Sequence, residues 1–258
     1  MKKRNFDMII SEKSYIDLDW RKIPVSGEAN ELTSFLGNLI YESRPLVSRI
    51  GKRFVDIAGA SIGIILTLPL MLIIAIAIKL TSKGPVIFRQ KRMGHLGRKF
   101  TFLKFRTMRI DGDDSIHKEY VRKLIRGEKD GINMGKEGEP LYKLSKDYRV
   151  TRLGHILRIT SLDELPQFFN VLAGSMSLVG PRPPITYEVE SYKNWHWRRM
   201  IEAKPGITGI WQVSGRSRTT YDDMVRLDLN YARNQSILLD LKIIAKTFSA
   251  VLNMDGAL

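Results

Sequence analysis

The sequence predicts a mixed α+β domain held on a membrane by a proline-kinked apolar helix. Three observations carry that prediction. The run from Ile57 to Ile78 contains no charged residue, has Pro69 near its middle and is bracketed by basic residues. Two segments rich in aromatic and β-branched residues follow, parted by Gly-containing turns, as in a hairpin. Beyond them, short helical segments alternate with Gly/Pro turns.

In chain order, residues 1–45 are a mixed-charge extension with weak periodicity, expected to be partly ordered, with a turn or linker around Pro24, Ser26 and Gly27. Residues 46–83 form a membrane unit. An apolar helix of about 20 residues can cross a bilayer, but Pro69 in its interior removes a backbone donor and clashes with the preceding turn. Lys52 and Arg53 precede the run, and Lys79, Lys83, Arg89, Lys91 and Arg92 follow it. Lys and Arg favour the cytoplasmic side, so two basic flanks favour a re-entrant helix that enters and leaves through one leaflet. A straight crossing is the competing arrangement. Asp56, at the start of the apolar run, complements the helix dipole or pairs with an arginine; the capping role is the simpler reading.

Residues 84–258 form the third unit. Val86–Gln90 and Phe100–Met108 read as the two hairpin strands, and His117–Ile125 as a short helix. Gly131–Glu137 resembles a phosphate loop only superficially, because Glu137 stands where Ser or Thr would hold magnesium. Short helices are expected over Thr151–Arg158, Leu165–Leu172 and Tyr192–Glu202, a strand over Ser175–Val179 and a turn at Pro205–Gly209. Met224–Asn234 reads as helix. The last helix, Leu238–Leu252, is amphipathic and basic, suited either to a membrane surface or to the protein core.

Composition narrows the function classes. The 258 residues carry a net charge of +15, and the 43% hydrophobic content is concentrated in the apolar run. A basic surface needs an anionic partner. Beside a membrane segment, acidic lipid headgroups and phosphorylated substrates fit best. Nucleic acid is not expected, since no zinc-finger or RNA-binding signature occurs. The chain has no cysteine, which excludes disulfides and thiolate catalysis, and its four histidines lack metal-ligand spacing.

The densest constellation is Arg158-Ile159-Thr160-Ser161-Leu162-Asp163-Glu164-Leu165-Pro166-Gln167. Paired carboxylates precede a helix that Pro166 can begin. Ser161 and Glu164 also fit a capping box, with Asp163 serving the dipole. A helix N-terminus, Arg158, and Arg182 in the proline-stiffened loop Gly180-Pro181-Arg182-Pro183-Pro184 together suit a magnesium–pyrophosphate substrate. Lys104 and Arg106 are further candidates for a phosphate rim.

These pieces occur in a fixed order with Lys52-Arg53-Phe54-Val55-Asp56, Pro85–Gln90, Lys104-Phe105-Arg106-Thr107-Met108, Gly174–Pro183 and Pro205–Gly209. In that combination, from about Ile50 to Leu252, the chain resembles the bacterial sugar transferase family, the monotopic polyprenyl-phosphate phosphoglycosyl transferases. The resemblance implies transfer of a sugar 1-phosphate from a nucleoside diphosphate sugar, a UDP-sugar, to polyprenyl (undecaprenyl) phosphate, releasing UMP. This is the first membrane step of surface glycan or exopolysaccharide assembly. It implies Asp163 as the nucleophile of a covalent ping-pong reaction and Glu164 as its catalytic partner. Both carboxylates would hold Mg2+, and Arg158, Arg182, Lys104 and Arg106 would bind phosphates. It implies a cytoplasmic-face, monotopic enzyme of the bacterial inner membrane, contacting membrane lipids and suited to homodimerisation and to downstream glycosyltransferases. Relatives often carry Ser before the membrane proline. This chain has Thr67-Leu68 there, so the kink rests more heavily on Pro69. Longer relatives carry extra membrane helices, so the chain reads as a catalytic core with a short extension. The competing function class is a membrane-tethered scaffold of a glycan-assembly complex without catalysis.

Overall fold

The computed structural model describes residues 45–109, 115–128, 149–214 and 219–252. The expected extension up to residue 44 and the Gly131–Glu137 loop lie outside the described residues. A single helix, α1 (Leu46–Thr81), contains the whole apolar run. It keeps helical backbone through Pro69. Thr67 Oγ1 donates to the Gly63 carbonyl at 2.7 Å, whereas the carbonyl deprived of its helical donor by proline belongs to Ile65.

α1 has two unlike sides. Ile62, Ile65, Leu66, Leu72, Ile73, Ile76 and Leu80 are exposed apolar residues, while Ala60, Met71, Ile74 and Ile78 are buried against the domain. A helix with such a bare apolar stripe needs a non-aqueous neighbour, in keeping with membrane association.

The hairpin forms as predicted, with β1 (Ile87–Met93) antiparallel to β2 (Lys99–Phe105) in the register Ile87 to Phe105. Leu96 and Gly97 turn the chain at positive φ. α2 (Ser115–Arg126) and α3 (Arg152–Ile159) follow. Thr151 caps α3 by accepting from the Gly154 amide at 2.9 Å. A 3-10 turn, Leu162–Glu164, leads into α4 (Gln167–Leu172), which closes at Gly174 with φ +80°.

β3 (Ser177–Val179) pairs in parallel with β4 (Gly206–Thr208), a strand where a turn was expected. Three residues are too few to show a period, and the partner lies far away in sequence. Gly180 and Gly206 permit the pairing: a Cβ on Gly180 would lie 2.1 Å from the Lys204 carbonyl. Between the strands, the expected Tyr192–Glu202 helix divides into a 3-10 turn, Asn194–Trp197, and α5 (Arg198–Glu202). α6 (Ile210–Ser214), α7 (Tyr221–Asn234) and α8 (Ile237–Leu252) complete the described chain. α8 buries Asp240 and Ile243 yet leaves Leu238, Leu241 and Phe248 exposed.

Three core clusters fall among the described residues. One joins Ala60 of α1 to Phe102, Val171, Leu178 and Ile243. A second packs Met71, Ile74 and Ile78 on Phe105 and Leu157, with Leu162 and Leu165 beside them. The second half of α1 therefore lies directly under the Leu162–Leu165 turn. The third, between α2 and α7, is built on Val121, Ile125, Tyr221, Met224 and Val225.

Candidate active site

The turn that carries the carboxylates is strained. Ser161 adopts φ 57°, ψ 15°, the left-handed region that a residue with a Cβ rarely occupies. Its side chain makes no capping bond, so the expected Ser161–Glu164 capping box does not form. This turn reverses the chain between α3 and α4 and buries Asp163, which is 7% exposed. Burial is the main reason that the Asp163 carboxyl is pushed up to about 6; the adjacent Glu164 adds to the rise, while Lys104 and Arg158 oppose it. Such a group stays largely ionised at neutral pH yet is poorly solvated, which suits a nucleophile or a cation ligand.

Lys104, half-buried on β2, faces the same field from the other side. Burial lowers its ammonium to about 8, with Asp163 holding it up and Arg158, Arg92 and Arg182 pressing it down. Arg158 stands on the last turn of α3, its Nε donating to Thr107 Oγ1 at 3.1 Å. Arg182 is exposed at the tip of the Gly180–Pro184 loop. Thus Asp163, Glu164, Lys104, Arg158 and Arg182 come together as expected.

Arg106 does not join them. It is buried, and its guanidinium donates to the carbonyls of Lys83 (2.7 Å) and Ser82 (2.8 Å) and to Ser82 Oγ (2.8 Å). Its fork closes the C-terminal end of α1, so it is not counted in the phosphate set. Asp56 is likewise not a cap. It lies inside α1, 3% exposed, and Oδ1 accepts from Ser177 Oγ (2.9 Å), the Leu178 amide (3.0 Å) and Lys52 Nζ (3.0 Å). Lys52 also pairs with the buried Asp240 at 2.7 Å. Arg53 donates to the carbonyls of Val171 and Leu172 at 2.7 and 2.8 Å, capping α4.

A cavity of about 1000 Å³ lies between α1 and part of the charged cluster. One wall is the apolar face of α1, with Phe54, Ala58, Ile62 and Leu66, together with Leu241 and Phe248 of α8. Arg158, Glu164 and Arg182 line it as well. Two neighbours of Asp163 in the chain, Leu162 and Glu164, are among the lining residues.

Among the described residues no group of three or more His, Asp or Glu side chains could cage a metal. Asp163 and Glu164 are two adjacent carboxylates whose mutual repulsion a cation would relieve. That donor set fits Mg2+, which uses one or two carboxylates and completes its shell with water and phosphate oxygens.

A family model described as bacterial sugar transferase matches residues 47–254. The chain belongs to the bacterial sugar transferase family. It is 44% identical over 209 residues to the galactosyl transferase CpsE of Streptococcus agalactiae, covering 81% of this chain and 43% of that protein. It is 42% identical over 211 residues to the undecaprenyl-phosphate galactose phosphotransferase of Salmonella typhimurium, covering 81% of this chain and 42% of the relative. The exopolysaccharide production protein ExoY of Rhizobium meliloti is 39% identical over 205 residues, which cover 80% of this chain and 87% of ExoY. The chain thus spans less than half the length of the first two relatives and most of the third.

In this member of the family, two positioning residues escape the sequence reading. Arg92, read only as part of a basic flank, is buried over the Phe102 ring at 4.0 Å and donates to the Pro183 carbonyl at 2.9 Å. Arg199 donates to the Arg182 carbonyl at 2.9 Å and pairs with buried Asp228 at 2.6 Å. Between them these arginines pin the backbone at Arg182 and at the residue after it. Nothing in their local sequence marks them out, because both destinations are remote carbonyls.

Proposed function

We propose that this protein transfers a sugar 1-phosphate from a UDP-sugar to undecaprenyl phosphate, at the cytoplasmic face of a bacterial inner membrane, as the first step of surface glycan assembly. The observation that carries this reading is the cavity that runs from the lipid-like face of α1 to Arg158, Glu164 and Arg182 beside a buried carboxylate. It offers an apolar channel for a prenyl chain and a cationic seat for phosphates in one space. The names of relatives point the same way, since two are a UDP-galactose-lipid carrier transferase and a UDP-glucose:undecaprenyl-phosphate glucose-1-phosphate transferase.

In the proposed reaction a carboxylate oxygen of Asp163 attacks the phosphorus next to the sugar. A bond forms from Asp163 to that phosphorus, and the bond to the bridging oxygen breaks, releasing UMP with the electron pair. A phosphate oxygen of the polyprenyl phosphate then attacks the same phosphorus, and the Asp163–phosphorus bond breaks, restoring the carboxylate. Splitting one displacement into two is the use of a covalent nucleophile and gives ping-pong kinetics. Arg158, Arg182 and Lys104 balance the charge of the phosphates. Asp163 and Glu164 would hold Mg2+, which, when bound, neutralises phosphate charge.

We place the protein monotopically. Both ends of α1 are fastened to the same domain, the first through Lys52, Arg53 and Asp56 and the last through Arg106. A helix so tied keeps both ends on the side where that domain lies, and the exposed apolar residues of α8 add a surface contact.

Purified protein with magnesium, polyprenyl phosphate and a panel of UDP-sugars should release UMP, and Asp163→Asn should release none. Retained activity in Asp163→Asn would remove the nucleophile assignment. A wild-type protein inert with the whole panel would favour a scaffold. Because the chain has no cysteine, single cysteines at positions 2 and 255 report topology; labelling of either from outside intact cells would overturn the monotopic placement.

A further inference from the structure

The cavity has a second wall that the proposed chemistry leaves unused. Four of its lining residues, His117, Tyr120, Val121 and Leu124, follow the i, i+3, i+4, i+7 spacing of one face of α2. Trp211 of α6 lines the cavity too, and Tyr120 and Trp211 both pack against the Val121–Tyr221–Met224 cluster, apart from the clusters that receive α1. This wall is aromatic where the α1 wall is aliphatic.

Its polar edges are organised. The Trp211 indole N–H donates to Thr219 Oγ1 at 2.7 Å, which fixes the ring plane. His117 Nδ1 lies 2.6 Å from Tyr187 Oη, with their rings edge-to-face. Burial pushes the Tyr120 phenol up to about 12, so it remains a hydrogen-bond donor at any physiological pH. Flat π-surfaces next to fixed hydrogen-bonding groups are what a nucleobase needs, since bases stack on aromatic faces and are read along their edges. A prenyl chain has no use for such edges.

The chemistry of the lining decides the occupant. Apolar α1, the Arg158–Glu164–Arg182 cluster and the α2–Trp211 wall all line one cavity. A nucleoside diphosphate sugar carries its phosphates between base and sugar. With phosphates at the arginines and lipid along α1, the base falls on the α2–α6 wall. We infer that this wall is the nucleobase subsite of the donor, with Trp211 as the stacking surface and His117, held by Tyr187 from behind, as its polar edge. The inference rests on the proposed donor class and adds residues that no motif marked.

The test uses the full chain in detergent micelles. Binding of labelled UMP is measured by equilibrium dialysis, and KM is measured separately for the UDP-sugar and for polyprenyl phosphate. Trp211→Ala should weaken UMP binding and raise the UDP-sugar KM by roughly 5- to 150-fold, the span of one base–aromatic stack. The polyprenyl phosphate KM should stay within about twofold of wild type, as Trp211 itself packs in the Val121–Tyr221–Met224 cluster and not in those that receive α1. Trp211→Phe should keep most of the affinity, and His117→Ala, on the half-exposed face of α2, should lose part of it without unfolding the protein. If Trp211→Ala fails to fold, the His117→Ala measurement decides. Unchanged UMP affinity in His117→Ala and in any folded Trp211→Ala, or a KM rise confined to polyprenyl phosphate, would overturn the subsite. Wild-type turnover with unaffected variants rejects the subsite alone. UMP binding that depends on Trp211 in a protein without turnover rejects the reaction alone.

Discussion

Lys52→Met removes the one ammonium that serves two buried carboxylates. Lys52 Nζ lies 3.0 Å from Asp56 and 2.7 Å from Asp240, and the two acids have side chains 4% and 0% exposed. Methionine keeps the length and apolar stem of lysine, so packing changes little. Deleting one partner of a buried ion pair costs about 3–5 kcal/mol, because the remaining charge is left without compensation. The Lys52 side chain is itself 15% exposed, so some water reaches it and the expected loss lies near the lower end, about 3 kcal/mol. For a domain of this size that is a fall in Tm of roughly 6–12 °C, read by thermal unfolding in micelles. The loss should depend on pH. Burial already holds the Asp240 carboxyl above its ordinary range, and Lys52 is the largest influence opposing this. Without Lys52 the folded carboxyl rises further and binds a proton more readily than the unfolded one. Falling pH therefore favours the folded variant, and its deficit should shrink between pH 8 and pH 5. Lys52→Met combined with Asp240→Asn should recover part of the loss, with a coupling of about 1–3 kcal/mol. A loss under about 1 kcal/mol, or a strictly additive double variant, would refute the account of α1 as a charge-latched helix.

Two further outcomes follow from the site. The rate of UMP release in a single turnover, at fixed magnesium, should rise with pH through a midpoint near pH 6, where Asp163 is half ionised, and level off above it. Glu164→Gln removes a charge that raises Asp163 and should move this limb to lower pH, whereas Lys104→Met should move it higher; a limb indifferent to both would detach it from Asp163. Gly154→Ala would place a Cβ 2.1 Å from the Thr107 carbonyl, forcing β2 and α3 apart. It should cost about 1–3 kcal/mol and lower activity by shifting Thr107, the hydroxyl that holds Arg158. Chemical denaturation and the UMP assay check the two effects.

Much of this architecture could be read from residue patterns. The hairpin is legible because alternation and turn residues agree locally, and α7 and α8 because their apolar spacing does. The carboxylate pair, Arg158 and the arginine of the Gly180–Pro184 loop stand out because chemistry concentrates there. What eluded the sequence has a common cause. Asp56 and Arg106 each have an ordinary local role on offer, a cap or a phosphate contact, and take a distant one instead: Ser177 and Leu178 lie 121 and 122 residues from Asp56. A charged side chain advertises what it can bind but not where the fold will carry it. β4 is hidden for the same reason, since its backbone pairing exists only once Gly180 and Gly206 meet.

The latch at the start of α1 also bears on how the protein is made. Lys52 and Asp56 leave the ribosome early, but Ser177 and Asp240, which neutralise and enclose them, are synthesised much later. The latch therefore closes only after the rest of the domain is made, by a long-range search that slows folding as loop closure does.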